Sequence, residues 1–70
     1  MSVVKVIELV GASEKGWQDA AENAVAEAEK TLKGLIGAEV ISWTASVGDD
    51  GKIASYKANV KIAFRVKGSD

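Results

Sequence analysis

Residues 54–66 read ASYKANVKIAFRV, and this stretch decides the fold. Every second residue from Ala54 to Val66 is apolar, and all the residues between them except Ala63 are polar. Successive side chains of a strand point to opposite faces, so the pattern predicts a long β-strand with one buried and one solvated face. At about 3.3 Å per residue this strand spans roughly 40 Å, so much of the remaining chain must lie against it.

Another strand and a helix are predicted from the first half of the chain. Val3 to Val10 is predicted as a strand that is apolar on both faces, which is typical of a strand covered on both sides. Gly11-Ala12-Ser13 is expected to end it. Apolar residues at three- and four-residue spacing predict one helix from Trp17 to about Leu35, with Ser13 or Gly16 as its N-cap.

The second strand of the sheet is predicted from Ala38 to Val47. Strict alternation would place Trp43 on the same face as Gly37, Glu39 and Ile41. Asp-Gly suits positive φ angles, so residues 48–51 are predicted to form a hairpin turn. The order β-α-β-β predicts one α+β domain over residues 1–70, in which a single helix packs across a three-stranded antiparallel sheet.

The apolar first strand also predicts assembly, because one helix can cover only one face of so small a sheet. A core of this size rarely leaves more than about 3–5 kcal/mol of net stability, and small proteins usually add disulfides, a metal or oligomerisation. The chain has no cysteine and no histidine, so neither a disulfide nor a soft metal site can supply this support. We therefore predict that copies of the chain cover one another.

Composition excludes several classes of function. The formal net charge is -1, so there is no basic field to attract nucleic acid or an anionic membrane. No segment is apolar enough to span a membrane or to serve as a signal peptide, and a cytoplasmic location is the expectation. Without histidine or cysteine, the serine and threonine hydroxyls have no base to activate them, and the chain is not expected to be an enzyme.

A few residues are candidates for binding, each with a structural alternative. The Asp-Asp-Gly run at 49–51 lacks the spaced ligands of a calcium loop and is expected to be a turn. Trp17 is expected in the core, and Trp43 either packs in the core or an interface or stacks on a flat ligand. Lys57, Lys61 and Arg65 form either a solvated face or a contact for an anion.

Several segments of the sequence resemble the dodecin family. Residues 5–13 read KVIELVGAS, close to the dodecin pattern K-V-I-E-L-V-G-T-S. The helix start GWQDAA at 16–21, AEV at 38–40 and YKANVKIAFRV at 56–66 are also similar, so the resemblance covers nearly the whole chain. It implies a hollow homododecamer that stores or buffers a flavin, FMN or riboflavin, and, in some members, binds coenzyme A.

The resemblance also identifies cofactor-binding positions, which are Gly37, Thr44, Lys57 and Arg65. In flavin-binding dodecins the position of Gly37 holds an aromatic residue, usually tryptophan, that stacks on the flavin, and the position of Lys57 holds a glutamine. Arg65 matches a cation that contacts ligand phosphate in some members, and Thr44 lies near the same pocket. The alternative is a dodecin-like shell that binds no flavin and acts structurally or binds an ion.

Overall fold

The computed structural model describes residues 3–66. It contains, in chain order, strand β1 (Val4–Ser13), helix α1 (Trp17–Thr31), strand β2 (Leu35–Val47) and strand β3 (Ile53–Arg65). The three strands form one antiparallel sheet in the order β1-β3-β2, so the predicted β-α-β-β fold is confirmed. The long alternating stretch is the central strand, and its partners are β1 on one side and β2 on the other.

Helix α1 and the sheet enclose a small core. Three alanines of α1, Ala20, Ala24 and Ala28, pack against Ala58, Val60 and Ile62 of β3, and all six side chains are buried. Small side chains on the helix let it approach the sheet closely. We call the side of the sheet that carries Val60 the helix face and the opposite side the open face. Because side chains alternate along β3, Asn59, Lys61 and Ala63 belong to the open face.

Gly11 does not end β1, as the sequence suggested, but lies within the strand. A Cβ at this position would stand 2.0 Å from the carbonyl oxygen of Ala20 and 3.0 Å from the Cβ of Ala24. Glycine is therefore required for close contact between strand and helix, and the pairing with β3 continues to Ser13. Ser13 Oγ then accepts from the Lys15 amide at 2.9 Å and donates to Asp19 at 2.6 Å.

Helix α1 is shorter than its apolar pattern predicted. It begins after Gly16, one of the two expected N-caps, and ends at Thr31 rather than near Leu35. Gly34 has a φ of 78°, a backbone angle that residues with a side chain rarely adopt, and β2 starts immediately after it. Leu32 and Leu35 still pack on the core, so their spacing resembled a continued helix. Within residues 3–66, no helix is long and apolar enough to cross a membrane.

Strand β2 is irregular, and this reverses the predicted orientation of Trp43. Val40 pairs with Val60 but Ser42 pairs with Asn59, so Ile41 is an extra residue in the ladder. Trp43 consequently lies opposite Ala58, on the helix face. A second shift near residue 36 leaves Gly37 opposite Ala63, on the open face. Gly37 and Trp43 therefore lie on opposite sides of the sheet.

Replacing Ile62 with alanine is expected to lower the free energy of unfolding by about 2–5 kcal/mol, because the lost methyl groups leave a cavity. Ile62 is 1% exposed and lies in the middle of the core. Urea unfolding followed by circular dichroism, at one fixed protein concentration, measures the change. Ile53→Ala is the matched control, since Ile53 is 46% exposed, and its effect should stay below about 1 kcal/mol.

Candidate functional site

The open face carries the predicted cofactor-binding residues. Thr44 and Lys57 are direct cross-strand partners on this face, and Gly37 pairs with Ala63. Arg65 follows Ala63 by two residues on the same strand, so it lies diagonally across from Gly37, about 7–8 Å away between Cα atoms. All four predicted residues therefore share one side of the sheet.

These four residues form two groups rather than one. Lys57 and Ala63 are six residues apart on β3, which separates the Thr44–Lys57 pair from the Gly37–Arg65 pair by roughly 20 Å. A ligand the size of a nucleotide cannot bridge that distance within one chain while contacting both groups closely. Either each group belongs to its own site, or different copies of the chain bring them together.

Three cations lie along the open face of β3, and their surroundings differ. Lys61 lies between two carboxylates, with Glu8 opposite it on β1 and Glu39 opposite it on β2. Opposite charges in such cross-strand positions stabilise each other. The cross-strand partners of Lys57, by contrast, are Ala12 and Thr44, and Arg65 lies opposite Val4.

Both outer cations are consequently available to an anion. Lys57 and Arg65 are exposed, and within residues 3–66 neither forms a side-chain ion pair. Within residues 3–66 Lys61 forms no ion pair either, but it has a carboxylate opposite it on each neighbouring strand, whereas no carboxylate lies opposite Lys57 or Arg65. This arrangement suits ligands whose phosphate groups reach either end of the row.

Gly37 opens a depression on the open face. The hollow has a volume of about 210 Å³ and is lined by Val6, Ala38, Glu39, Lys61 and Ala63 as well as Gly37. A Cβ at position 37 would meet no atom of residues 3–66 within 4 Å. The space beside Gly37 is therefore open in a single chain, and a larger side chain could enter it.

Trp17 is not a core residue, in contrast to the prediction. It is 37% exposed at the start of α1, and its Nε1 donates to the carbonyl oxygen of Thr44 at 2.8 Å. Its ring meets Tyr56 edge to face, with 4.7 Å between ring centroids. These contacts attach the beginning of the helix to β2 and β3 and hold the backbone at Thr44.

One polar residue of this face was not predicted as a site residue. Asn59 lies opposite Val10 and Ser42, between Lys57 and Lys61 on β3, and within residues 3–66 its buried Oδ1 has no hydrogen-bond partner. The alternating pattern indicated only a solvated polar residue there. An acceptor in this position can receive an N–H or O–H from a bound group.

Valines cover much of the remaining open face. Val4, Val6 and Val10 of β1 are 47%, 54% and 64% exposed. These are the side chains that made the first strand apolar on both faces in the sequence. A single chain leaves them in water, as expected for a surface that another copy covers.

The model of the Dodecin family matches residues 3–67 of the chain. The chain belongs to the dodecin family. A calcium dodecin from Mycobacterium tuberculosis is 34% identical over 67 residues, which cover 96% of this chain and 93% of that protein. A dodecin from Thermus thermophilus is 37% identical over 65 residues, which cover 93% of each chain.

Solved dodecin structures have the same fold. Dodecin from Streptomyces coelicolor superposes with a TM-score of 0.91 at 34% identity, covering 97% of this chain and 96% of that one. A point variant of the Thermus thermophilus dodecin gives a TM-score of 0.89 at 36% identity, covering 96% of this chain and 98% of that one. Calcium dodecin from Mycobacterium tuberculosis, described as having a calcium-binding site, superposes with a TM-score of 0.84 at 33% identity. The match covers 99% of this chain and 97% of that one.

Membership in the dodecin family establishes the general class of function. Dodecins bind and store small ligands, and they assemble from copies of one chain. For a cation, the described part of this chain offers no group of three or more acidic side chains that could hold a metal. The chain therefore belongs to a family of self-assembling proteins that bind small molecules.

Proposed function

We propose that this dodecin assembles as a hollow homododecamer and buffers a nucleotide-like ligand, FMN or riboflavin or coenzyme A, between open faces of neighbouring copies. The observation that carries the proposal is the open face itself. It combines the hollow beside Gly37 with two exposed cations, Lys57 and Arg65, that lack ion-pair partners within residues 3–66. No step of bond making or breaking is part of this function.

The chemistry of the open face favours recognition of phosphate over recognition of a ring. Gly37 has no side chain to stack on an isoalloxazine, and Lys57 donates hydrogen bonds but cannot accept them. Arginine binds phosphate through two parallel hydrogen bonds, which makes Arg65 the natural phosphate contact. A phosphorylated ligand should therefore bind better than the same ring without phosphate.

Titration of FMN and riboflavin with the assembled protein tests the proposal. Flavin fluorescence falls when the ring enters a protein site, so quenching reports binding, and FMN is expected to bind more tightly than riboflavin. Coenzyme A is tested in the same assay as a competitor of FMN. If none of these three compounds binds, measured also by calorimetry, the nucleotide-like ligand is excluded.

Replacing Arg65 with alanine should selectively weaken the binding of phosphorylated ligands. We expect the dissociation constant for FMN to rise about tenfold to a hundredfold, since a hydrogen bond to a charged group contributes about 1.5–3 kcal/mol, and that for riboflavin to change little. Lys5→Ala serves as a matched control, because it removes an exposed cation of β1 whose alternation places it on the other face. An equal loss for both flavins would contradict a phosphate contact.

Native mass spectrometry of the protein taken directly from its source cells tests the assembly. It gives the number of chains and the mass of any retained ligand in one spectrum. Twelve chains with a ligand of nucleotide mass are expected. A folded particle of 7.3 kDa would exclude every site formed between copies.

An ion-binding assembly is the second candidate, favoured by the similarity to calcium dodecin. Calcium takes 6–8 oxygen ligands. Since residues 3–66 contain no acidic cluster of three, such a site would need carboxylates from several copies, for instance Glu8 and Glu39 of each open face. Calorimetric titration with Ca²⁺, repeated on a Glu8→Gln variant, distinguishes this candidate from flavin storage.

A further inference from the structure

A larger recess lies on the helix face, on the other side of the sheet from the nucleotide site. Helix α1 packs mainly on β1 and β3 and leaves β2 largely uncovered. The result is a groove of about 610 Å³ between the helix and β2. Its walls are apolar and consist mainly of Ala21 and Val25 from α1 and of Leu35, Ala38 and Val40 from β2.

Trp43 gives this groove an aromatic surface. The extra residue at Ile41 turns Trp43 onto the helix face, where it lines the groove and remains 50% exposed. Within residues 3–66 its indole N–H has no hydrogen-bond partner, unlike that of Trp17. An exposed indole face attracts flat apolar groups and also attracts cations.

The rim of the groove is acidic. One edge of α1 forms this rim with two carboxylates and an amide, which belong to Glu22, Glu29 and Gln18. No basic residue of the described chain lines the groove. Glu22 accepts a hydrogen bond of 3.2 Å from Gln18, whereas Glu29 forms no ion pair or side-chain hydrogen bond within residues 3–66. An occupant that complements these charges is positively charged at the rim and apolar in the body.

From this complementarity we infer that the groove binds lipophilic cations, such as a flat aromatic ring system with a quaternary or protonated nitrogen. The volume lies within the range of about 300–1,000 Å³ typical of small-ligand sites. Trp43 stacks on the ring and faces the cation, and Glu22 and Glu29 balance its charge. This site is independent of the nucleotide site, because it lies on the opposite side of the sheet and selects the opposite charge.

Berberine, a flat quaternary cation whose fluorescence rises on leaving water, is the probe for this site. Titrated into the assembled protein, it should bind saturably at one molecule per chain. In a Trp17→Phe variant, which leaves Trp43 as the sole tryptophan, binding should also quench the tryptophan emission. If that variant is unstable, the rise in berberine fluorescence with the unaltered protein still measures the binding.

Matched variants distinguish binding in the groove from non-specific attraction to the negative charges of the surface. Trp43→Ala is expected to raise the dissociation constant of berberine about tenfold, and the double variant Glu22→Gln/Glu29→Gln about three- to tenfold. Glu14→Gln/Glu27→Gln also removes two exposed carboxylates, both outside the groove and one of them paired with Lys30 at 3.2 Å, and should leave the constant unchanged.

Three results would overturn the inference. An equal loss in the Glu14/Glu27 variant would mean non-specific attraction. Equal or tighter binding of the anion 1-anilinonaphthalene-8-sulfonate would mean an apolar surface without charge selection. Absence of berberine binding, together with a Trp43 emission that acrylamide cannot quench in the assembly, would mean that another copy of the chain fills the groove.

Discussion

Replacing Gly37 with tryptophan is expected to raise the affinity for FMN and riboflavin on the order of tenfold to a hundredfold. An aromatic pair contributes about 0.5–1.5 kcal/mol beyond the area it buries, and two copies that sandwich one ring double that contribution. The substitution fits because a Cβ at position 37 meets no described atom within 4 Å and the adjoining hollow is open. Quenching of flavin fluorescence measures the gain.

The controls for this variant use Lys57, which stands where flavin-binding dodecins have a glutamine. Lys57→Gln alone should have a small effect, because an amide can accept a hydrogen bond but supplies no stacking surface. The double variant should bind at least as tightly as Gly37→Trp. If the tryptophan variant stays folded and assembled but gains no affinity, the pocket differs from that of flavin-binding dodecins at more than these positions.

Replacing Gly11 with alanine is expected to cause a large loss of stability. The new methyl group would stand 2.0 Å from the Ala20 carbonyl oxygen, which belongs to the helix backbone and cannot rotate away. Helix α1 must shift from the sheet, and its buried alanines would lose contact with β3. We expect the free energy of unfolding to fall by about 3 kcal/mol or more, since overpacking costs about 1–3 kcal/mol even where side chains can adjust.

Urea unfolding at a fixed protein concentration measures this loss, because assembly makes the apparent stability depend on concentration. Gly37→Ala provides the comparison, because Gly37 is also a strand glycine but its added methyl group meets no atom of the described chain within 4 Å. Its effect should be at most about 1 kcal/mol in either direction. Equal stability of the two variants would contradict the close contact between β1 and α1.

The order of strands and helix was predictable because apolar residues repeat at a different spacing in a strand than in a helix. Residues 54–66 alternate with Ala63 as the one exception, since one face of β3 is buried under the helix and the other is not, and α1 repeats its apolar residues at helical spacing. The open-face valines also indicated a covered surface, as expected in a self-assembling family.

The errors came from features that depend on tertiary contacts. Gly11 resembled a breaker because only the position of Ala20 reveals why a glycine is needed. The extra residue at Ile41 leaves no local sequence signal, and it alone moves Trp43 to the helix face. The groove beside Trp43 therefore could not be predicted, whereas Gly37, Thr44, Lys57 and Arg65 do share one face, and their role as a site stays a prediction.

The strand order has a consequence for how the chain folds during synthesis. In the described part of the chain, β1 and β2 each pair only with β3, which leaves the ribosome after them. Until β3 emerges, each of the earlier strands lacks its backbone partner, and α1 has no sheet beneath it. We therefore expect nascent chains that end before residue 53 to be sensitive to protease, and the fold to form in one late step rather than progressively along the chain.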